Sequence, residues 1–490
     1  MKTGFDNDKY LKTQSEHIRE RIGQFGDKLY LEFGGKLFDD FHASRVLPGF
    51  EPDSKLQMLQ NLKDQAEIVI AVSAEDVGRH KIRADLGISY GEDVLRLTQE
   101  FRNLGFYVGS VCITRYAGQE EADKLQKKCE KAGLKVYHHY YIEGYPGNTK
   151  RIISPEGFGR NEFIETERPL VVVTAPGPGS GKMATCLSQL YQENVRGVKA
   201  GYAKFETFPI WSIPLNHPVN LAYEAATADL EDVNLIDPYH LNTYGEIAVN
   251  YNRDVEIFPV LKGIFEEIFG ESPYQSPTDM GVNMAGFCIS DNEACEAAAK
   301  QEIIRRYFDA RCRLFLETGT PEEFSKLQLL MNQSGLEEED RICVARAREK
   351  EAAVNDYAGA LELEDGRIVT GRNSDFMGPC SAVLMNSLKT LAGIPDETLL
   401  IAPEAFSPIQ QLKTSYLGSE NPRLHSDETL IALALSAKAD PLSQQALEQL
   451  PKLKGAQAHI TSPVSQTDLS VFHSLGIQVT YEADKVRRDN

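Results

Sequence analysis

The stretch that most constrains this chain is residues 168–186, RPLVVVTAPGPGSGKMATC. An apolar run at 170–173 feeds a turn of Ala, Pro, Gly and Ser that ends in Gly181-Lys182. The turn then opens a helical pattern. A buried strand, a glycine-rich turn and a helix in that order predict an α/β fold with an anion site at the helix start. Small residues let backbone N–H groups converge, the helix N-terminus adds positive potential, and a Lys adds a charge. The phosphate-loop pattern is G-x-x-x-x-G-K-[ST]. Gly181 and Lys182 match it, Pro176 stands at the first Gly position, and Gly177 comes one residue late. Met183 replaces the hydroxyl that normally holds Mg²⁺. Thr185 lies two residues beyond Met183, roughly 200° round the helix, and so points elsewhere. A loop hydroxyl, Ser180 or Thr174, is the substitute. The alternative is a tight strand–helix turn with an incidental Lys.

Composition narrows the partners. At 490 residues the chain is expected to form two or three domains. A net charge of −20, from 72 acidic and 52 basic residues, argues against nucleic acid as the main partner. It leaves room for a local basic pocket. The opening MKTGFDNDKYLKTQ is polar, and no apolar run approaches the about 20 residues needed to span a bilayer. A cytoplasmic protein with no membrane partner is expected. The 8 Cys form no C-x-x-C pair and none sits at zinc-finger spacing from a His. They read as small buried hydrophobes, so no metal and no zinc are expected.

The first 275 residues read as a P-loop-like or Rossmann-like α/β domain, a three-layer, mostly parallel sheet. Strands are predicted at 28–33, 67–73, 106–114, 135–141 and 170–174, with helices at 54–64, 92–104 and 120–132. Unalternated apolar strands separated by helices argue for a parallel sheet covered on both faces. Such sheets bind ligands at the carboxyl ends of their strands, where the glycine-rich turn falls. Residues 202–276 look irregular, rich in Pro, Asn and aromatics, as functional or interface segments are. Residues 276–345 read as a helical connector, with one long helix over 292–317 and a second opened by Thr320-Pro321-Glu322-Glu323. Residues 346–490 read as a separate α/β domain. Its hairpin is predicted at 358–370 around an Asp-Gly turn. Helices follow at 382–392, 426–437 and 440–450, and strands at 398–402, 456–461 and 478–481.

Other polar groups are thinner. Val233-Asn234-Leu235-Ile236-Asp237 resembles a strand ending in a metal-holding Asp, though Asp237 before Pro238 also suits a turn. Arg79-His80-Lys81-Ile82-Arg83 is a basic cluster that either steers an anion, with Arg83 the candidate contact, or is a solvated loop. His138 and His139 face opposite sides of one strand and do not share a metal. His217, Tyr239, His240 and Tyr244 are candidate ligand contacts in the irregular segment.

Several long blocks carry a family resemblance. They are KLYLEFGGKLFDDFHASRVLPGF, VVVTAPGPGSGKMATCLSQLY, VNLIDPYHL, GPCSAVLMNSLKTLAGIPD and NPRLHSDETLIALALSAKADP. Together they make the chain resemble, over essentially its full length, the bacterial domain-of-unknown-function 1846 family (uncharacterised protein family 0371). The resemblance implies a cytoplasmic bacterial protein that forms a homo-oligomer, and it implies no particular reaction. The run GALELEDGRIVTGRNSDFMGPCSAVLMNSLK is remotely similar to the opening of cytidine deaminases. There Cys380 takes a zinc-ligand position, but Ala382 stands where the proton-moving Glu would be. The second ligand motif falls on 403–407, PEAFS, without a cysteine. The likeness implies a deaminase scaffold that has lost zinc and its chemistry. GPCSA as a plain helix start is the alternative.

The expected function is binding of a nucleotide or other phosphorylated small molecule, for instance ATP with Mg²⁺. Gly177, Gly179, Ser180 and Gly181 would supply backbone donors, Lys182 would hold phosphate oxygens, and Asp237, Arg83 and His240 are outlying candidates. Phosphoryl transfer or hydrolysis would need a base that no motif names. The alternative is a non-catalytic homo-oligomeric structural or regulatory protein.

Overall fold

The computed structural model describes residues 2–26, 28–35, 37–38, 40–83 and 86–484. The chain divides into two compact units. One comprises Lys2–Glu224 and Glu231–Glu296, and the other Ala225–Leu230 and Ala297–Asn490.

The first unit is built on six strands: β1 (Leu29–Phe33), β2 (Ala66–Ser73), β3 (Tyr107–Tyr116), β4 (Lys135–Tyr140), β5 (Leu170–Thr174) and β6 (Gly201–Phe205). Their order across the sheet is β4-β3-β2-β5-β1-β6, and every neighbouring pair is parallel. Every residue of β1, β2, β5 and β6 is buried. That two-sided burial is why their sequences show apolar runs without alternation. Helices α1 (Tyr90–Asn103) and α2 (Glu120–Lys131) make the connections to β3 and β4, and α3 (Lys182–Val195) the connection from β5 to β6. α1 opens with a complete capping box, in which Ser89 and Glu92 satisfy each other's backbone. β2 and β5 are neighbours, yet β2 leads to β3 on one side and β5 leads to β6 on the other. Diverging connections open a crevice at the carboxyl ends of such a pair, and this is where the glycine-rich turn leaves β5.

Residues 202–276, expected to be irregular, are largely ordered secondary structure. They hold most of β6, the short antiparallel pair β7 (Asn234–Ile236) and β8 (Val249–Tyr251), and helices α4 (Pro238–Tyr244) and α5 (Asn252–Phe269). Two local signals hide this order. β6 carries Lys204 near its carboxyl end, buried because carboxylates pair with it, and α5 carries Pro259 inside.

The second unit contains a mixed four-stranded sheet: β9 (Ala358–Glu362), β10 (Ile368–Arg372), β11 (Gln457–Ile460) and β12 (Gln478–Tyr481), in the order β10-β9-β11-β12. β9 runs antiparallel to both β10 and β11, and β11 runs parallel to β12. Helix α6 (Pro379–Ala392) lies on the hairpin. Its backbone comes so close that a Cβ on Gly371 would meet the Val383 nitrogen at 2.3 Å. The strand expected at 398–402 does not form. Thr398 closes a turn onto Pro395, and consecutive Leu400 and Ile401 are both buried, which a strand lying on one face does not do. The helix Pro403–Gln411 therefore follows a turn, so the segment matched to the second zinc motif of deaminases does not leave a strand.

Candidate functional site

Between β5 and α3 the chain must reverse within a few residues, and two glycines make this feasible. Gly179 (φ 78°) and Gly181 (φ 89°) both take the left-handed conformation, which Gly adopts at no steric cost. Gly181 is also the N-cap of α3, so no side chain caps that helix. Two hydroxyls lock the turn from within. Ser180 donates to the Gly177 carbonyl at 2.9 Å, and Thr114 of β3 donates to the Ser180 carbonyl at 2.8 Å. Gly177 is required by a neighbour, since a Cβ there would come within 2.1 Å of the Tyr90 hydroxyl.

The outcome is a set of donors without internal acceptors. Among the described residues, the N–H groups of Gly177 and of residues 179–184 donate no hydrogen bond. The Lys182 ammonium likewise has no hydrogen bond or ion pair among the described residues. Successive open amides at a helix start, with a cation beside them, form an anion-binding concavity. Thr185 turns inward and donates to the Gly181 carbonyl at 3.0 Å, while Met183 packs against the apolar core. Neither offers oxygen to the concavity.

Further groups surround the turn. Ser73, at the end of β2 and in register with Thr114, has a buried hydroxyl with no partner among the described residues. The Lys81 ammonium lies 4.9 Å from the centre of the Tyr90 ring that abuts Gly177. Arg115, just beyond Thr114, is half exposed and bonds Glu75 at 3.2 Å. Tyr145, in the segment after β4, keeps 39% of its surface exposed, and its phenol is raised by partial burial first and by the charge of Glu32 second.

A second polar cluster sits at the carboxyl ends of β1 and β6. Glu32 and Lys204 are register partners on these strands. Tyr202 donates to Glu32 at 2.6 Å, and Lys204 donates to both oxygens of Asp254 at 2.7 Å. Lys204 also pairs with Glu206 at 3.3 Å and bonds the Tyr251 hydroxyl, which donates to Glu206 at 3.2 Å. Asp254 and Glu206 thus share one buried ammonium, with the charge of Glu32 also acting on it. Burial would lower the Lys204 pKa, but Asp254, Glu206 and Glu32 outweigh it and raise it. Burial, joined by the charges of Asp254 and Glu32, raises Glu206 despite Lys204. Gly34 makes room for this arrangement, since a Cβ there would meet the Glu206 Cγ at 2.4 Å. Burial raises the Cys186 thiol on α3, with Glu32 adding to that rise and Lys182 opposing it.

The outlying candidates do other work. Asp237 caps α4. One oxygen accepts from the Tyr239 and His240 amides at 2.9 and 3.0 Å, and the other from the Thr278 amide and hydroxyl at 3.2 and 2.7 Å. Its carboxylate is fully committed as a turn and cap. His240 lies 3.1 Å from Ser276, and Tyr244 donates to Asp279 at 3.0 Å, so both belong to that cap and not to the glycine-rich turn. Tyr239 packs on Phe258, and His217 bonds Asn292 at 2.9 Å. Arg83 pairs with buried Asp93 at 2.9 Å. His138 stacks on Tyr116, while burial lowers His139 to about 4. Cys380 is a buried free thiol, raised by burial and by Asp468. Among the described residues no group of three His, Cys, Asp or Glu could hold a metal.

Sequence reading missed Tyr90, Thr114, Arg115, Tyr145 and the Glu32–Lys204–Glu206–Asp254 cluster. One signal was present, the Gly34-Gly35 pair directly after β1.

The family models described as "Domain of unknown function DUF1846", N-terminal and C-terminal, match residues 3–335 and 339–488. A "UPF0371 protein" from Streptococcus thermophilus is 56% identical over 491 residues, covering 99% of both chains. Another of that name, from Streptococcus pneumoniae, is 55% identical over 481 residues, covering 98% of this chain and 97% of its own. Among the described residues no helix is long and apolar enough to cross a membrane.

Proposed function

The chain belongs to the DUF1846 family, and from that premise we propose that its glycine-rich turn binds a phosphorylated small molecule, a nucleotide or a compound of similar chemistry. One observation carries the reading: at the carboxyl edge of a parallel sheet, the amides of Gly177 and residues 179–184 and the ammonium of Lys182 have no partner among the described residues. The amides of Gly177, Gly179, Ser180 and Gly181 would donate to phosphate oxygens, and Lys182 would neutralise their charge. With Met183 in place of a hydroxyl residue, Mg²⁺ accompanying ATP would have to be met by Thr174 or Ser73 at the strand ends.

Thermal melting with nucleotides, sugar phosphates and inorganic phosphate, with and without Mg²⁺, tests this. A ligand that binds the native state raises Tm by mass action. Lys182→Ala should remove the rise without unfolding the protein, and an unchanged affinity in that variant would refute the assignment.

A second reading is a non-catalytic, homo-oligomeric regulatory or structural protein of the bacterial cytoplasm. The core-packed Met183 favours it, because the usual metal-holding hydroxyl is missing. Phosphoryl turnover in the presence of Mg²⁺ would support the enzyme, and tight binding without turnover the second reading. A hairpin followed by a helix that starts at Pro379-Cys380 supports a degenerate deaminase-like reading of the C-terminal unit, and the lack of a strand before Pro403 counts against it. Ala382 leaves that scaffold without the proton-moving carboxylate.

A further inference from the structure

A cavity of about 50 Å³ opens beside the carboxylate cluster. Glu206, Asp254, Asn250, Thr278, Trp211 and Phe208 are among the residues that line it. Its chemistry is mixed. Glu206 offers a carboxylate that is partly open to solvent, and the Asn250 side chain gives one amide hydrogen to the Thr278 oxygen at 3.5 Å and keeps the other. The Thr278 oxygen, whose own proton goes to Asp237, retains one lone pair beyond that contact. Trp211 provides a flat apolar wall, fixed by its indole N–H donating to the Asn283 carbonyl at 2.9 Å. Acceptors and donors side by side, next to an aromatic face, suit hydroxyls carried on a C–H surface. A simple cation would leave the donors unmatched, and a purely apolar group would strand the carboxylate. The volume admits one edge of a sugar ring and not a whole ring.

The cavity adjoins the carboxyl end of β6, and the glycine-rich turn leaves that of β5, with only β1 between. Two inter-strand spacings amount to about 10 Å, a separation that one small phosphorylated sugar can bridge.

We propose that this cavity holds the hydroxyl-bearing edge of a sugar, so that the ligand of the glycine-rich turn is a sugar phosphate. The proposal rests on the phosphate reading of the turn. Glu206 accepts from ring hydroxyls, Asn250 donates to them, and Trp211 packs against the C–H face.

Trp211 is the single tryptophan of the chain, so its emission reports on this cavity alone when excited beyond tyrosine absorption. The full-length protein would be titrated with inorganic phosphate, ribose 5-phosphate, glucose 6-phosphate, free ribose and free glucose, following both Trp211 emission and Tm. Inorganic phosphate is expected to raise Tm and leave the emission unchanged. At least one sugar phosphate should change the emission saturably and bind at least tenfold more tightly than inorganic phosphate. Glu206→Gln and Asn250→Ala should each remove that tenfold gain while keeping the response to inorganic phosphate. Sugar phosphates that bind no better than inorganic phosphate, or that bind both variants as they bind the parent, would overturn the sugar assignment and leave the phosphate reading standing. If no phosphate compound raises Tm, the phosphate reading fails and with it the sugar phosphate. A saturable emission change with free ribose or glucose would then support the cavity as a sugar site by itself, and its absence would overturn that too.

Discussion

Two helix starts, one in each unit, are completed in opposite ways. In the C-terminal unit, helix α7 (Ser426–Ser436) begins beside α8 (Gln466–Ser474), and one carboxylate ties them together. Asp468 accepts from the Ser426 amide at 2.8 Å, the Ser426 hydroxyl at 2.7 Å, His425 Nδ1 at 2.9 Å and the Ser465 hydroxyl at 2.7 Å. At the start of α3 in the first unit the same kind of donors is left open. A buried or half-buried donor without an acceptor costs free energy, so a protein gains by closing it. The first start is a closed joint, and the second has the form of a socket. The polar residues are similar in kind. What differs is whether a carboxylate from a remote segment arrives to complete the set.

The sharpest break of this comparison is at the joint. Asp468→Ala should destabilise the protein by about 3 kcal/mol, because it strands His425 and the donors of Ser426 and Ser465. Urea denaturation would read it, and a neutral result would mean the joint is decorative. Next comes the socket's own packing. Gly177→Ala should lose about 2 kcal/mol, since the methyl collides with the Tyr90 hydroxyl. Ser73→Ala should go the other way and stabilise the protein by about 1 kcal/mol in denaturant titrations, by removing a buried hydroxyl that has no partner among the described residues.

The joint should also show in the pH profile. Burial would raise the Asp468 pKa, but the hydrogen bonds from His425, Ser426 and Ser465 outweigh it and lower it to about 2. That stabilisation is full above the ordinary Asp value, about 4, and disappears as pH falls toward 2. The Asp468 hydrogen bond raises the His425 pKa against burial. Its contribution is full below the ordinary His value, about 6.5, and is lost as pH rises through the folded value. Denaturant midpoints should therefore be highest between these limits, and Asp468→Asn should flatten both flanks. The smallest effect on folding belongs to Lys182→Ala. With no partner to lose, it should shift stability by less than about 0.5 kcal/mol, in contrast to Asp468. A large loss would show that Lys182 serves the fold.

Legibility followed locality. β1, β2 and β5 could be read because burial on both faces writes continuous apolar runs, and β3 and the half-buried β4 could be read beside them. β6 could not, because Lys204 and Tyr202 are buried with partners drawn from Glu32 and Asp254, far away in sequence. α5 was masked by Pro259, and the apolar segment 398–402 passed for a strand although a turn holds it. At the candidate site the turn itself was legible, including that Thr185 points away from it. Tyr90, Thr114, Arg115 and Tyr145 were not, since they come from three separate segments: the start of α1, the end of β3 and the stretch after β4. Asp237 shows the reverse case. The Asp-Pro pair already suited a turn, and the structure spends both carboxylate oxygens on the cap it starts.

By itself the sequence determined the strand–turn–helix, the positions where only glycine fits a left-handed turn, and the presence of a Lys at the helix start. These are properties of neighbouring residues and backbone sterics. Tertiary structure alone decided which donors stay open, which charges are neutralised, and that a cavity with one tryptophan stands two strands from the turn. Charge compensation and cavity shape depend on groups brought together from distant segments, and no local pattern records them.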